Sequence, residues 1–227
     1  MRFLFTCTII IFAHAVSFAQ KFSASFDAQL ALPQGDYEAV SADAGYGLRA
    51  NVLYKPNDFV PVRFGIELGI MEKARATQYF SGNYYVSYDD FKVSATSNIV
   101  STMFVTRFQS TRHHLFKPFI DLTAGWNVFF STARIEDISY YSEYNPSYSN
   151  SSKAHWAFAY GAAGGIDISL NRRDDLGLEL KAAYLIGSFT NYLTDPRIDG
   201  NGAVSFQQNN SRTNMLIPQA GIRISIR

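Results

Sequence analysis

Nine charged residues in this chain fall inside apolar stretches: Asp27, Arg49, Arg63, Glu67, Asp121, Asp167, Glu179, Lys181 and Arg223. Five are acids and four are bases. Each occupies the polar phase of a run whose alternate residues are apolar, so all nine are expected on one side of their backbone segments. Charges that share a confined interior must pair, because an unpaired buried ion is costly. Two chemistries are open to such a set. One is an internal salt-bridge network that plugs a lumen, which the near balance of signs favours. The other is a proton or ion path, which requires a gap or a switchable pair.

Other candidate groups are weaker. His113 and His114 are adjacent, so their rings diverge and cannot readily share an ion without further ligands. Asp195 to Asn201 (Asp-Pro-Arg-Ile-Asp-Gly-Asn) has the composition of a calcium loop, but its spacing fails the twelve-residue template. A turn is the better reading. No metal or cofactor motif is present. Two long connections are rich in tyrosine: Tyr79, Tyr84 and Tyr85 in the first, Tyr140, Tyr141, Tyr144 and Tyr148 in the second. Tyr among Ser, Gly and Asn is the composition of adaptable binding loops. These loops are read either as a surface for a glycan or protein partner, or, by preference, as strand extensions that cover a barrel mouth.

The elements that must position these residues are strands. Apolar residues alternate with polar ones over about ten positions, eight times, as expected for strands between two environments. In the first segment Phe22, Ala24, Phe26, Ala28 and Leu30 alternate with Ser23, Ser25, Asp27 and Gln29. In the third, Val62, Phe64, Ile66, Leu68 and Ile70 oppose Arg63, Gly65, Glu67 and Gly69. The fifth sets Ile120, Leu122, Ala124 and Trp126 against Lys117, Asp121, Thr123 and Asn127. The fourth, roughly 98–108, is ambiguous, because Ile99, Met103 and Val105 compete with Val100, Phe104 and Phe108 for the apolar face.

Connections after the even segments are short (Pro56-Asn57-Asp58, Gln109 to His114, Asn171 to Asp175), and those after the odd ones are long. Short turns at one end and long loops at the other are the transmembrane barrel pattern. Aromatic residues gather at both ends of the apolar phase, where interfacial rings anchor in a bilayer. The sequence therefore predicts an all-β fold, an eight-stranded antiparallel up-and-down transmembrane β-barrel spanning residues 20–227.

Residues 1–19 are expected to be a cleaved signal peptide: Arg2, then an apolar stretch from Phe3 to Val16, then Ser17-Phe18-Ala19. Cys7, the only cysteine, lies within it, so the mature chain carries no disulfide. Charged residues make up only 17% of the chain and aromatic ones 15%, short of the solvating groups a soluble domain carries. Loss of Arg2 from the 20 basic residues leaves 19 against 19 acids, which gives no electrostatic case for nucleic acid.

The stretch Leu32-Pro33-Gln34-Gly35-Asp36-Tyr37 leading to Gly45-Tyr46-Gly47, with the closing Gly221-Ile222-Arg223-Ile224, resembles the outer-membrane β-barrel domain proteins common in Bacteroidetes. The likeness is one of pattern and covers essentially the whole mature chain. It implies an outer-membrane location, with lipid around the barrel, termini in the periplasm and long loops outside. The enzyme types that use small outer-membrane barrels fit poorly. A lipid A deacylase of the eight-stranded kind carries a His-x-Ser pair, whereas this chain reads His155-Trp156-Ala157. An interior acyl pocket conflicts with a charged lumen, and omptin-type proteases need ten strands. The expected role is non-enzymatic: structural, adhesive or accessory to surface machinery. A soluble exported calyx for a small apolar ligand is the alternative, with a lipid-modifying enzyme behind it.

Overall fold

The computed structural model describes residues 22–57, 60–81, 90–110, 115–138, 147–152, 154–171 and 173–226. The expected signal peptide, His113, His114, Tyr84, Tyr85, Tyr140, Tyr141 and Tyr144 lie outside the described residues. The elements in chain order are β1 (Phe22–Pro33), α1 (Asp36–Val40), β2 (Gly45–Tyr54), β3 (Val62–Phe80), β4 (Phe91–Gln109) and β5 (Phe116–Asp137). There follow β6 (Ser147–Ser151), β7 (His155–Ser169), β8 (Leu176–Gly187), β9 (Phe189–Ile198), β10 (Val204–Arg212) and β11 (Met215–Ile226).

Antiparallel pairing runs from β1 through β2, β3, β4, β5, β7 and β8 to β11, and β11 returns to β1. The ring closes with Phe22 opposite Ile226. β6 is no ninth stave. It pairs β5 at Thr132↔Ser151, and β7 pairs the same side of β5 from Phe129↔His155 downward. The two are the upper and lower parts of one column, so the barrel has eight columns.

Alternation decides which way each side chain points, because a register slip of one residue would turn every strand inside out. Phe26, Phe104 and Ile120 are each 58% exposed on the outer face, whereas Asp27, Arg49, Glu67 and Glu179 are each 1% exposed within. An apolar exterior around a charged interior inverts a water-soluble protein and is what a bilayer solvates. The ambiguous fourth segment resolves with Val105, Met103 and Ile99 inward and Phe104 and Phe108 outward. Both phases of that strand are apolar for part of its length, which is why its pattern blurs.

The columns are unequal in height. β2 leaves β3 at Tyr46↔Glu72, but β3 and β4 stay paired up to Phe80↔Phe91. β3, β4, β5 and β6 thus form a raised wall. Its base is marked by outward Glu72, which accepts hydrogen bonds from Tyr46 Oη (3.0 Å) and from Arg75 Nε and Nη2 (2.7 and 2.5 Å). The apolar band below it, Phe64 to Ile70 on β3, ends there.

The connection from β8 to β11 departs from the expected open loop. It folds as the β9–β10 hairpin, which packs on the inner side of the wall and covers the lumen. Tyr192 of β9 is buried against Tyr37 of α1 (ring centroids 5.1 Å apart) and Phe129 of β5 (5.6 Å). At the hairpin tip Asp199 Oδ1 accepts the backbone N–H groups of Asn201 and Ala203 (2.9 and 2.8 Å), so this segment is a side-chain-stabilised turn. Among the described residues no group of three or more His, Cys, Asp or Glu could hold a metal.

Candidate functional site

The lower lumen, toward the short turns, holds two ionic tiers. In the upper tier Arg49 pairs with Glu67, and Lys181 bridges Glu67 (2.5 Å) to Asp121 (3.6 Å). Arg107 grips Asp121 through Nε and Nη2 (2.7 and 2.8 Å) and Glu179 through Nη1 and Nη2 (both 2.7 Å). These contacts join β2, β3, β4, β5 and β8 across the lumen. In the lower tier Arg223 pairs with Asp167 (2.7 Å) and Asp174 (2.9 Å), Lys117 pairs with Asp174, and Gln109 Nε2 donates to Asp167 (3.1 Å).

Close backbone approach makes room for these groups. A Cβ on Gly165 would lie 2.3 Å from Phe119 Cζ, and the Phe119 ring in turn lies 3.7 Å under the Arg107 guanidinium. A Cβ on Gly177 would meet Asp167 Oδ1 at 2.6 Å and Arg223 Nη2 at 2.8 Å. Small residues here are spaces that ion pairs occupy.

Of the nine charges singled out in the sequence, seven enter ion pairs: Arg49, Glu67, Asp121, Asp167, Glu179, Lys181 and Arg223. Arg63 sits lower and donates to Ser23 Oγ (3.2 Å). Asp27 is buried but accepts from the Ser25 hydroxyl (2.7 Å), and its Oδ1 finds no hydrogen-bond partner among the described residues. Sequence reasoning missed Arg107, the most connected cation, because it lies on the ambiguous strand. The signal was there: Val105, Arg107 and Gln109 share one phase, and Arg107 falls opposite Asp121 in the register. Asp174 was missed because it lies in a turn with no periodicity to place it. Burial works against its carboxylate, but hydrogen bonds from Lys117 and Ser169 and the charge of Arg223 win and hold it at about 2.

The upper lumen has a different filling. Met71, Ile99, Phe129, Leu185, Met215 and Ile217 are buried there beneath Tyr37 and Tyr192. A network of paired charges thus occupies the lower lumen, and an apolar core that the sequence reading did not foresee occupies its upper part. The sequence hid this because inward Met71, Ile99 and Leu185 fall in the same phase as inward polar residues lower on their strands.

Above the core one cation is pinned. Lys73 points inward in phase with Glu67 and Met71, and the register skip beside it, between Glu72 and Ala74, ends that phase. Its Nζ donates to the carbonyls of Ser41 (2.9 Å) and Asp43 (2.8 Å) and lies 4.3 Å from the Tyr37 ring centre. Burial pushes this ammonium down from 10.5 to about 8, opposed by the Asp43 and Asp195 carboxylates. Tyr79 projects from the outer face of the wall, 67% exposed, and Tyr148 lies on β6 opposite Ile135.

No protein-family model and no curated protein matches the sequence. Solved structures resemble the chain in outline. Neisserial surface protein A is 15% identical, with 90% of this chain and 96% of that one covered at a TM-score of 0.45. The outer membrane protein Ail of Yersinia pestis, determined in a phospholipid bilayer nanodisc, is 15% identical over 89% of this chain and 99% of its own, at 0.34. The outer membrane protease OmpT from Escherichia coli is 10% identical over 91% and 97%, at 0.35. Scores this low carry no inference about activity, and the barrel rests on its own closed strand pairing: this chain is an eight-stranded antiparallel up-and-down β-barrel.

Proposed function

We propose that the protein is a non-enzymatic integral outer-membrane barrel whose working surface is the raised wall and mouth, not the lumen. In this reading the short turns face the periplasm and the long connections face outward, serving adhesion or the assembly of surface machinery. One observation carries it: the lumen is filled twice over, by paired ions below and by an apolar core under a folded hairpin above. What remains for recognition is the surface above Glu72. The alternative of a soluble calyx would need apolar groups inside and polar ones outside, the reverse of the arrangement around Asp121 and Ile120.

Reconstitution in planar bilayers tests the filled lumen, with no stable conductance expected at neutral pH. Steady conductance from the intact protein would overturn it. Carbonate extraction tests membrane integration, and release without detergent would defeat that part. Crosslinking from intact outer membrane should then recover a reproducible component of a surface assembly, or a surface glycan, through the wall and mouth.

A further inference from the structure

Where β2 stops and β3 continues upward, the rim opens into a polar cleft of about 560 Å³. Charged residues from three separate segments line it: Asp43 before β2, Lys73 and Arg75 on β3, Asp195 and Arg197 on β9. Two backbone irregularities border it. On β3 the skip between Glu72 and Ala74 shifts the alternation by one, so Arg75 points outward like Glu72 while Lys73 between them stays inward in phase with Met71. On β9, Asp195 and Pro196 together oppose the single residue Phe206 of β10, and Asp195 sits at φ 44°, a left-handed conformation that residues other than glycine rarely adopt. Bulges interrupt a ladder to re-aim a side chain, and strained residues of this kind concentrate at binding sites.

The lining also has unspent bonding capacity. Lys73 is 6% exposed and commits two of its three N–H donors, to the carbonyls of Ser41 and Asp43. The ammonium is faced by the Asp43 and Asp195 carboxylates and by the Tyr37 ring. Arg75 is held on one side by Glu72 yet leaves 57% of its side chain open, and Arg197 is exposed. A simple anion would suit the two guanidinium groups but would be repelled by the two carboxylates. A neutral sugar would satisfy the carboxylates with its hydroxyls and leave the guanidinium groups unused. Among the described residues no aromatic ring lines the cleft for a sugar face to stack on, so polar contacts hold the ligand.

We propose that this rim cleft binds an acidic saccharide, with its anionic group held by Arg75 and Arg197 and its hydroxyls donating to Asp43 and Asp195. The guanidinium fork matches a carboxylate or phosphate in two parallel hydrogen bonds. The volume suits one or two sugar rings. The inference deepens the surface reading, on which it rests for its supply of ligand.

The test uses the mature barrel in detergent micelles, titrated calorimetrically with a glucuronic acid–N-acetylglucosamine disaccharide, its uronate methyl ester, inorganic phosphate and phosphoethanolamine. The acid form should bind, and the ester should bind roughly tenfold more weakly, the worth of one charge-assisted contact. Arg197→Gln should weaken the acid form by a similar factor while leaving the folded gel mobility unchanged. Asp195→Asn should weaken both sugars. Equal binding of acid and ester, tighter binding of phosphate or phosphoethanolamine than of the disaccharide, unaltered binding by Arg197→Gln, or no binding of the disaccharide would each overturn the proposal. Displacement of bound disaccharide by lipopolysaccharide would assign the source to sugars of the surrounding membrane, and its absence to free glycans; either supports the shared chemistry. Asn201→Cys at the hairpin tip, labelled on whole cells by an impermeant maleimide, tests separately whether this end faces outward. Loss of labelling with binding intact would defeat the surface reading and leave the site standing.

Discussion

Below the level of Glu67 the barrel is filled by ions, and above the level of Ile99 by rings and aliphatic chains. Both fillings exclude solvent, but they constrain the fold differently. An apolar core tolerates repacking so long as volume is kept. A network such as Arg107–Asp121–Glu179 accepts one arrangement, because each member left alone is a buried charge. The lower half therefore fixes register, and the upper half gives the mouth a cohesive seat that the hairpin can dock on. Buried ion pairs add little net stability over well-packed apolar residues, so specificity of pairing is the better account of why so many lie here.

The sharpest way to break this comparison is Arg107→Leu. It strands Glu179 and leaves Asp121 only the longer contact to Lys181, and should cost about 3–5 kcal/mol, read as a lower urea midpoint in lipid vesicles. Adding Asp121→Asn and Glu179→Gln should restore most of that loss. A triple variant no more stable than Arg107→Leu would show that the tier is not acting as one unit.

Tyr192→Ala probes the upper half. Loss of a buried ring costs about 3 kcal/mol, but here the damage should stay local. Amide exchange should quicken in residues 36–44 and 189–212, with the strands of the lower lumen unchanged. Uniform quickening would mean the two halves unfold together.

Asp174→Asn should have a smaller effect, on the order of 1 kcal/mol after allowance for partial exposure. Because the folded carboxylate lies near 2 and its ordinary value is 3.8, its stabilisation is full above about 3.8 and fades as pH falls toward 2. Amide protection in the 170–175 turn, relative to the intrinsic exchange rate at each pH, should fall over that window in the parent and not in the variant.

Lys73 gives the smallest and most instructive effect. Between its folded value near 8 and its ordinary 10.5, the unfolded chain holds more protons, so this lysine favours the folded mouth more as pH rises. Amide protection around Ser41, relative to the intrinsic exchange rate at each pH, should rise slightly from pH 8 to 10, and Lys73→Met should abolish that slope at a cost of about 1 kcal/mol. Lower protection at high pH would show that the charged form holds the mouth more firmly than its burial opposes it.

How far the sequence reached follows the same division. On β1 and β3, where one face meets lipid and the other meets ions, period-two alternation placed Asp27 and Glu67 inward without ambiguity. On β4 the inner face passes from Arg107 to Met103 and Ile99, so polarity stops reporting direction and Arg107 is lost with it. The β9–β10 hairpin was illegible for a related reason. Its residues are mostly polar, and a single buried tyrosine, Tyr192, anchors it to a core built elsewhere. Lys73 continues the inward phase of Glu67 and Met71, but a one-residue skip that only the pairing of β3 with β4 reveals reverses the alternation just beyond it.

The seam where β1 meets β11 has a consequence for how the molecule comes into being. β1 pairs early with β2 but finds its second neighbour only after β11 has been made, and Lys181 meets Glu67 across 114 positions. Contacts this distant repay their loop-closure entropy late, which slows folding. Until the circle shuts, Glu179 and Lys181 lack the partners they meet across the lumen, Arg107 and Glu67, and stand as charges facing a hydrocarbon medium. Entry into the bilayer and closure must therefore coincide, and a half-inserted intermediate should be too scarce to trap.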